Sequence, residues 1–169
     1  FDFTDSANVQ EIAFFDRGPV DEEDLVLGGY WSTYWFQGLI YGTEIARGID
    51  VLALEPSDYL SANEIAAASL NSADSTFNAQ RQQRHVWPSV PVVARAYRDQ
   101  LARAGVLSSE RDQELDFALG NAEVLLEERE KDSNMADQLV ELARKLRADG
   151  EGRRGNTKER YLALSETVK

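Results

Sequence analysis

Few residues in this 169-residue chain are of types that do chemistry, and their spacing decides what each could do. His85 is the single histidine, able in principle to act as a base or a metal ligand. No motif sets a nucleophile, a second ligand or an orienting acid beside it, so it reads as a packing or hydrogen-bonding residue next to Trp87. The acidic loop Asp16, Asp21, Glu22, Glu23 and Asp24 offers oxygen ligands for a hard cation, but it matches no calcium-loop register and reads as solvated. Asn71-Ser72-Ala73-Asp74-Ser75 has oxygen side chains without a calcium pattern and reads as linker. Glu44 and Asp50 flank the Arg47-Gly48 turn. Paired carboxylates do acid–base work when held in a cleft, whereas a Glu–Arg–Asp cluster at a sheet edge reads as a structural ion-pair network. Tyr30, Trp31, Tyr34, Trp35 and Tyr41 are able to stack a sugar, but their alternation points to core, with Tyr30 and Tyr41 as the expected exceptions. Arg81, Arg84, Arg153 and Arg154 form two small basic groups, too few for a nucleic-acid face, and read as docking onto the acidic N-terminal half.

No P-loop, dinucleotide fingerprint, nucleophile elbow or zinc motif occurs. The expectation is therefore no catalytic, cofactor-binding or metal-binding residue within the chain. Cysteine is absent, which excludes disulfides, thiolate zinc sites and a cysteine nucleophile, and leaves the compartment open. A net charge of −12 disfavours nucleic acid and anionic membrane surfaces as partners. No apolar run approaches the ~18–20 residues of a membrane span. The chain opens on Phe1 with no basic or apolar leader, so Phe1 reads as a boundary, and a signal peptide further upstream stays open.

The elements that would position these residues fall into two kinds. Residues 1–75 hold 14 acids against only Arg17 and Arg47, while residues 76–169 hold 16 acids and 16 bases. The first part is rich in aromatic, glycine and β-branched residues, the second in Ala, Leu, Glu and Arg, which predicts strands and then helices. Phe1 to Asp5 alternates like a strand in progress, and Ile12–Phe15 is a short apolar run closed by Asp16-Arg17-Gly18-Pro19, so the meander is expected to have three or four short strands. Tyr30–Phe36 predicts a strand with one set of Tyr30, Ser32, Tyr34 and Phe36 and another of Trp31, Thr33 and Trp35. Both faces carry large rings, so both should be covered. Gln37-Gly38 turns, Leu39–Thr43 returns, Ala46-Arg47-Gly48 turns again, and Ile49–Leu54 closes the meander. Such a sheet exposes apolar surface and two edges unless neighbours cover it, as in a β-propeller. A small sheet packed on the following helices is the alternative.

FDFTDSANVQEIAFFD resembles the junction between strands in bacterial LVIVD-repeat β-propellers, and ARGIDVLAL resembles their closing strand. From Gly29 through WPSVPVVARAYRDQL the chain also looks like the C-terminal end of secreted, surface-associated members, in which a last blade precedes a helical tail. The resemblance spans about residues 1–104; only one blade is present, where a propeller needs about four to eight. It implies a blade over 1–60, a short helix and polar connector over 61–88, and a helical tail or small bundle over 89–169. The fold class expected is thus β plus α, an antiparallel propeller blade and then helices. The function implied is a non-catalytic scaffold or protein-interaction module at the cell surface or outside it, possible in the periplasm too, completed by residues or chains not shown. Its partners would be proteins: further blades or another subunit. The alternative is the C-terminal part of a propeller enzyme whose site lies on other blades.

For the helices, a capping box at Ser61–Glu64 opens a short one to about Leu70. The next runs from about Ser89 to Ala104, with Val92, Val93, Ala96, Tyr97 and Leu101 inward and Gly105 beyond its end. Ser108 or Ser109 caps a longer helix to about Lys131, presenting Leu115, Ala118, Leu119, Ala122, Leu125 and Leu126 on one face. Asn134–Ala148 follows with Met135, Leu139, Leu142 and Leu146. A second capping box at Asn156–Glu159 restarts the chain with Tyr161, Leu164 and Val168 inward, making a hairpin or three-helix bundle of the last helices.

Overall fold

The computed structural model describes residues 1–70 and 86–169. His85, Arg81, Arg84 and the Asn71–Ser75 stretch therefore lie outside the described residues. Among the described residues, three strands, β1 (Tyr30–Phe36), β2 (Leu39–Glu44) and β3 (Gly48–Leu52), precede five helices: α1 (Ala62–Ser69), α2 (Pro91–Arg103), α3 (Ser109–Glu128), α4 (Ser133–Glu151) and α5 (Gly155–Thr167). The chain is thus a mixed β plus α protein. It divides into two units, one of Phe1–Phe3 and Ala7–His85, the other of Thr4–Ser6 and Val86–Lys169. Among the described residues, no helix is long and apolar enough to cross a membrane.

The first unit is a meander in the order β1-β2-β3, antiparallel throughout. Gln37 and Gly38 both take positive φ, 50° and 80°, so β1 and β2 are joined by a two-residue turn that matches strand twist. Ile12–Phe15 is not a strand: it joins no ladder, and Phe1–Asp5 contributes only an isolated bridge between Asp2 and Gln10. These segments have strand-like composition, but an apolar run becomes a strand only where a neighbour pairs its backbone. α1 begins as its capping box requires, Ser61 accepting from Glu64 N–H while the Glu64 carboxylate accepts from Ser61 N–H.

The second unit is four helices around one core, so α2 joins the last three helices instead of standing outside them. Ala94 and Leu101 of α2, Leu115, Ala118 and Leu119 of α3, Leu142, Ala143 and Leu146 of α4, and Tyr161, Leu164 and Val168 close on one another. Each buried leucine contributes about 1.5–3 kcal/mol by leaving water. Two polar groups enter this core with partners: Tyr161 donates its hydroxyl to Val106 O at 2.9 Å, and Ser165 donates to Ala143 O at 2.8 Å. Gly105 ends α2 with φ 65°, and Ser108 caps α3 by accepting from Arg111 N–H. The expected α3 face is too long: Leu115, Ala118 and Leu119 are buried, but Leu126 is exposed because the core ends before the last turn. Asp132 caps α4, which starts at Ser133. α5 starts at Gly155 with Arg154 at the N-cap, and no side-chain cap forms there, so the predicted box at Asn156–Glu159 lies inside the helix instead of at its start.

Across this unit, arginines tie the helices. Arg95 grips both oxygens of Glu123 at 2.8 Å and reaches Asp116 at 3.1 Å. Arg98 meets Asp112 at 2.5 Å and Asp116 at 2.8 Å, and Arg111 meets Asp149 at 2.7 Å.

Candidate functional site

Glu44, Asp50 and the aromatic residues singled out for chemistry lie on the three-stranded sheet, where the two carboxylates hold turns and strands together. Glu44 ends β2 and is only 6% exposed. Its Oε1 accepts from Gly29 N–H at 2.7 Å, while Oε2 accepts from Ala46 N–H at 2.9 Å and from Arg47 N–H. The Gly29 N–H, with those of Arg47 and Ala46, holds the carboxyl below its ordinary range, against the opposing effect of burial. Glu44 is therefore a fixed anion that closes the turn into β3.

Asp50, in β3, accepts from the Tyr30 hydroxyl at 2.5 Å and takes both arms of the Arg17 guanidinium, at 2.9 and 2.8 Å. Tyr30 first, and Arg17 after it, depress the Asp50 carboxyl; in return the Tyr30 phenol is pushed above its usual value. The Glu44–Arg47–Asp50 ion-pair network expected from the spacing does not form, since Glu44 accepts from backbone N–H groups. Asp50 pairs with Arg17, and Arg47 instead donates to Pro19 O at 2.6 Å. Arg17 comes from a loop far away in sequence, which spacing around the turn does not reveal. Two carboxylates of the acidic loop, Asp16 and Asp21, also hold backbone. Asp21 accepts from Glu23 and Asp24 N–H at 2.9 and 2.8 Å, which lowers its pKa, and Asp16 accepts from Gly18 N–H. Among the described residues, no group of three or more His, Cys, Asp or Glu could hold a metal ion. Arg153 donates to Val106 O within the helical unit, and Arg154 stands at the start of α5.

The sheet has one dressed face and one open face. Register pairs Tyr34 with Tyr41 and Ser32 with Thr43, but Tyr30 with Glu44, so the ladder shifts between Tyr30 and Ser32 and Trp31 is the extra residue. This bulge corrects the simple alternation: Tyr30 leaves the Ser32–Tyr34 face and lies over Gly42, where any Cβ would meet its ring at 2.6 Å. The Glu44–Asp50 end of that face is dressed by the chain's own segment before β1 through Arg17 and Val20, while Ile40 and Leu52 at its other end line a cleft with Ile12, Phe14 and Phe15.

The other face holds Ser32, Tyr34, Tyr41, Thr43, Ile49 and Val51, as the pairs Tyr41–Val51 and Thr43–Ile49 require. Ile49 is 71% exposed, Val51 55% and Tyr34 44%, and Trp31 in the bulge is 76% exposed. Within this unit, then, one face stays open, as is expected of such a sheet without neighbours. Of the rings, Trp31, Tyr34 and Tyr30 are exposed and Trp35 and Tyr41 half-buried, so of the two exceptions expected from sequence Tyr30 is exposed and Tyr41 is not. Compared with protein-family models, curated proteins and solved structures, the chain matches none.

Proposed function

We propose that this chain is a non-catalytic scaffold or protein-interaction module, whose sheet stacks face to face against another antiparallel sheet. The observation that carries this reading is the open face of Tyr34, Tyr41, Ile49 and Val51, a contiguous aromatic and aliphatic surface on a sheet whose opposite face is bonded to the chain's own loop at Asp50. Sheets pack about 10 Å apart through such surfaces, and large exposed apolar patches mark interaction sites. The resemblance of residues 1–60 to a propeller blade supports the same occupant, with the helices as a tail, at the cell surface or outside the cell. Glu44, Asp50 and Asp21 support a structural role for the acidic residues, since each carboxylate is spent on backbone N–H groups, a tyrosine or an arginine.

Hydroxyl-radical footprinting tests the proposal. In material isolated intact from its natural source, Trp31, Tyr34 and Val51 should be labelled several-fold less than in the isolated chain. Equal labelling in both would refute it.

A further inference from the structure

β3 is an edge strand with a defined set of unused backbone groups. The two-residue turn makes Phe36–Leu39 a hydrogen-bonded pair, so Leu39, Tyr41 and Thr43 bond toward β1. Ile40, Gly42 and Glu44 then bond toward β3, where they face Leu52, Asp50 and Gly48. The N–H and C=O of Ile49 and Val51 consequently point away from the sheet. Among the described residues no strand pairs with them. The Ile12–Arg17 segment is tied back to the unit at both ends, by Ser57 Oγ to Ile12 O at 3.5 Å and by Arg17 to Asp50, yet it forms no ladder with β3. Beside it lies an apolar cleft of about 650 Å³, whose lining includes Ile12, Phe14, Phe15, Leu52, Leu54 and Tyr59. The charged residues that line it are Glu11 and Glu55, and no cation does.

We infer that the β3 edge and this cleft take an extended polypeptide segment with an apolar centre and lysine or arginine at its ends. Strand addition supplies main-chain hydrogen bonds to Ile49 and Val51, and alternate side chains of the added strand enter the cleft. Charge selects the segment. Residues 1–70 carry 13 acids and only two bases, Arg17 and Arg47, both already bonded within the unit. An acidic segment is repelled and a basic one is steered in. This deepens the interaction reading by naming a partner chemistry, and it uses the strand edge where that reading uses the sheet face.

The test uses the full chain, isotope-labelled, and a synthetic peptide of alternating valine and threonine flanked by lysines. A glutamate-flanked peptide is its control. The lysine peptide should slow hydrogen exchange at the Ile49 and Val51 amides, and the glutamate peptide should bind at least about tenfold more weakly. Val51→Pro removes an N–H that the ladder does not use and should cost about tenfold in affinity, roughly one hydrogen bond. Should that variant misfold, Glu11→Lys with Glu55→Lys on exposed positions should reverse the preference between the two peptides. Unprotected edge amides, or equal binding of both peptides, would overturn the inference. Face protection in the natural assembly with unprotected edge amides would sink this inference alone. Edge protection with a fully labelled face would sink the stacking proposal alone.

Discussion

Gly120 and Gly150 both sit inside helices of the second unit, and replacing each by alanine should move stability in opposite directions. Alanine gains about 0.8–1.0 kcal/mol over glycine in a helix interior. At Gly120, in α3, an added Cβ meets nothing within 4 Å, so Gly120→Ala should keep that gain and stabilise by roughly 0.5–1 kcal/mol. At Gly150, in α4, the same Cβ would lie 2.7 Å from the Tyr161 Cβ. That atom cannot swing away as a flexible side-chain end would, because it is bonded to the α5 backbone. Tyr161 is also held at its far end by the hydrogen bond to Val106 O. Overpacking of this kind costs about 1–3 kcal/mol, which offsets the propensity gain, so Gly150→Ala should destabilise by about 0–2 kcal/mol. The two variants should then differ by about 2 kcal/mol, or about 10 °C in midpoint for a small helical unit. Thermal and urea unfolding followed by circular dichroism at the helical band reads this directly. A Gly150→Ala protein as stable as Gly120→Ala would refute the close approach of α4 and α5.

Two further outcomes follow from the charged groups. Asp50 and Glu44 are depressed in the folded sheet, so their stabilisation is complete above the ordinary carboxylate range and is lost as pH falls through their lowered values. Tyr30 is raised, so its contribution is complete below pH about 10 and is lost as pH rises through its folded value. NMR titration of the Asp50 carboxyl and Tyr30 phenol carbons should show both displacements; ordinary titration of Asp50 would remove the Arg17–Asp50–Tyr30 arrangement. In the helical unit, a double-mutant cycle of Arg95→Ala and Glu123→Ala should give a coupling of about 0.5–1 kcal/mol, the range for pairs at a protein surface. Arg95→Lys should recover little of it, because a single ammonium cannot match both carboxylate oxygens; full recovery, or zero coupling, would contradict the two-armed geometry.

The helices were largely legible because their signals are local. Ser61, Ser108 and Gly105 announce ends through bonds to residues a few positions away, and the three-to-four spacing of Leu115, Ala118 and Leu119 states which side is inward. Where the reading went too far, as at Leu126, the deciding fact was how far the neighbouring helices extend, which no single helix encodes. Gln37-Gly38 marked the first turn, and the strands around it emerged where expected. The bulge at Trp31 was not legible: YWSTYWF alternates acceptably in either register, and only pairing with β2 reveals the extra residue. Ile12–Phe15 misled for a related reason, since strand composition was present while a pairing partner was not. At the candidate site, Glu44 and Asp50 were visible as charged residues beside a turn. Their partners were not, because Arg17 and Gly29 reach them only after the loop before β1 has folded back.

The three N–H bonds of Glu44 have a further consequence for what substitution can do there. The position needs two acceptor oxygens, no donor, and a stem long enough to reach Gly29 on one side and the Ala46–Arg47 turn on the other. Glutamine would turn an N–H₂ toward one of those groups, and aspartate falls a methylene short. Serine and threonine bring one oxygen only. Of the twenty genetically encoded side chains, a single one satisfies all three conditions, so the turn between β2 and β3 is written in one letter.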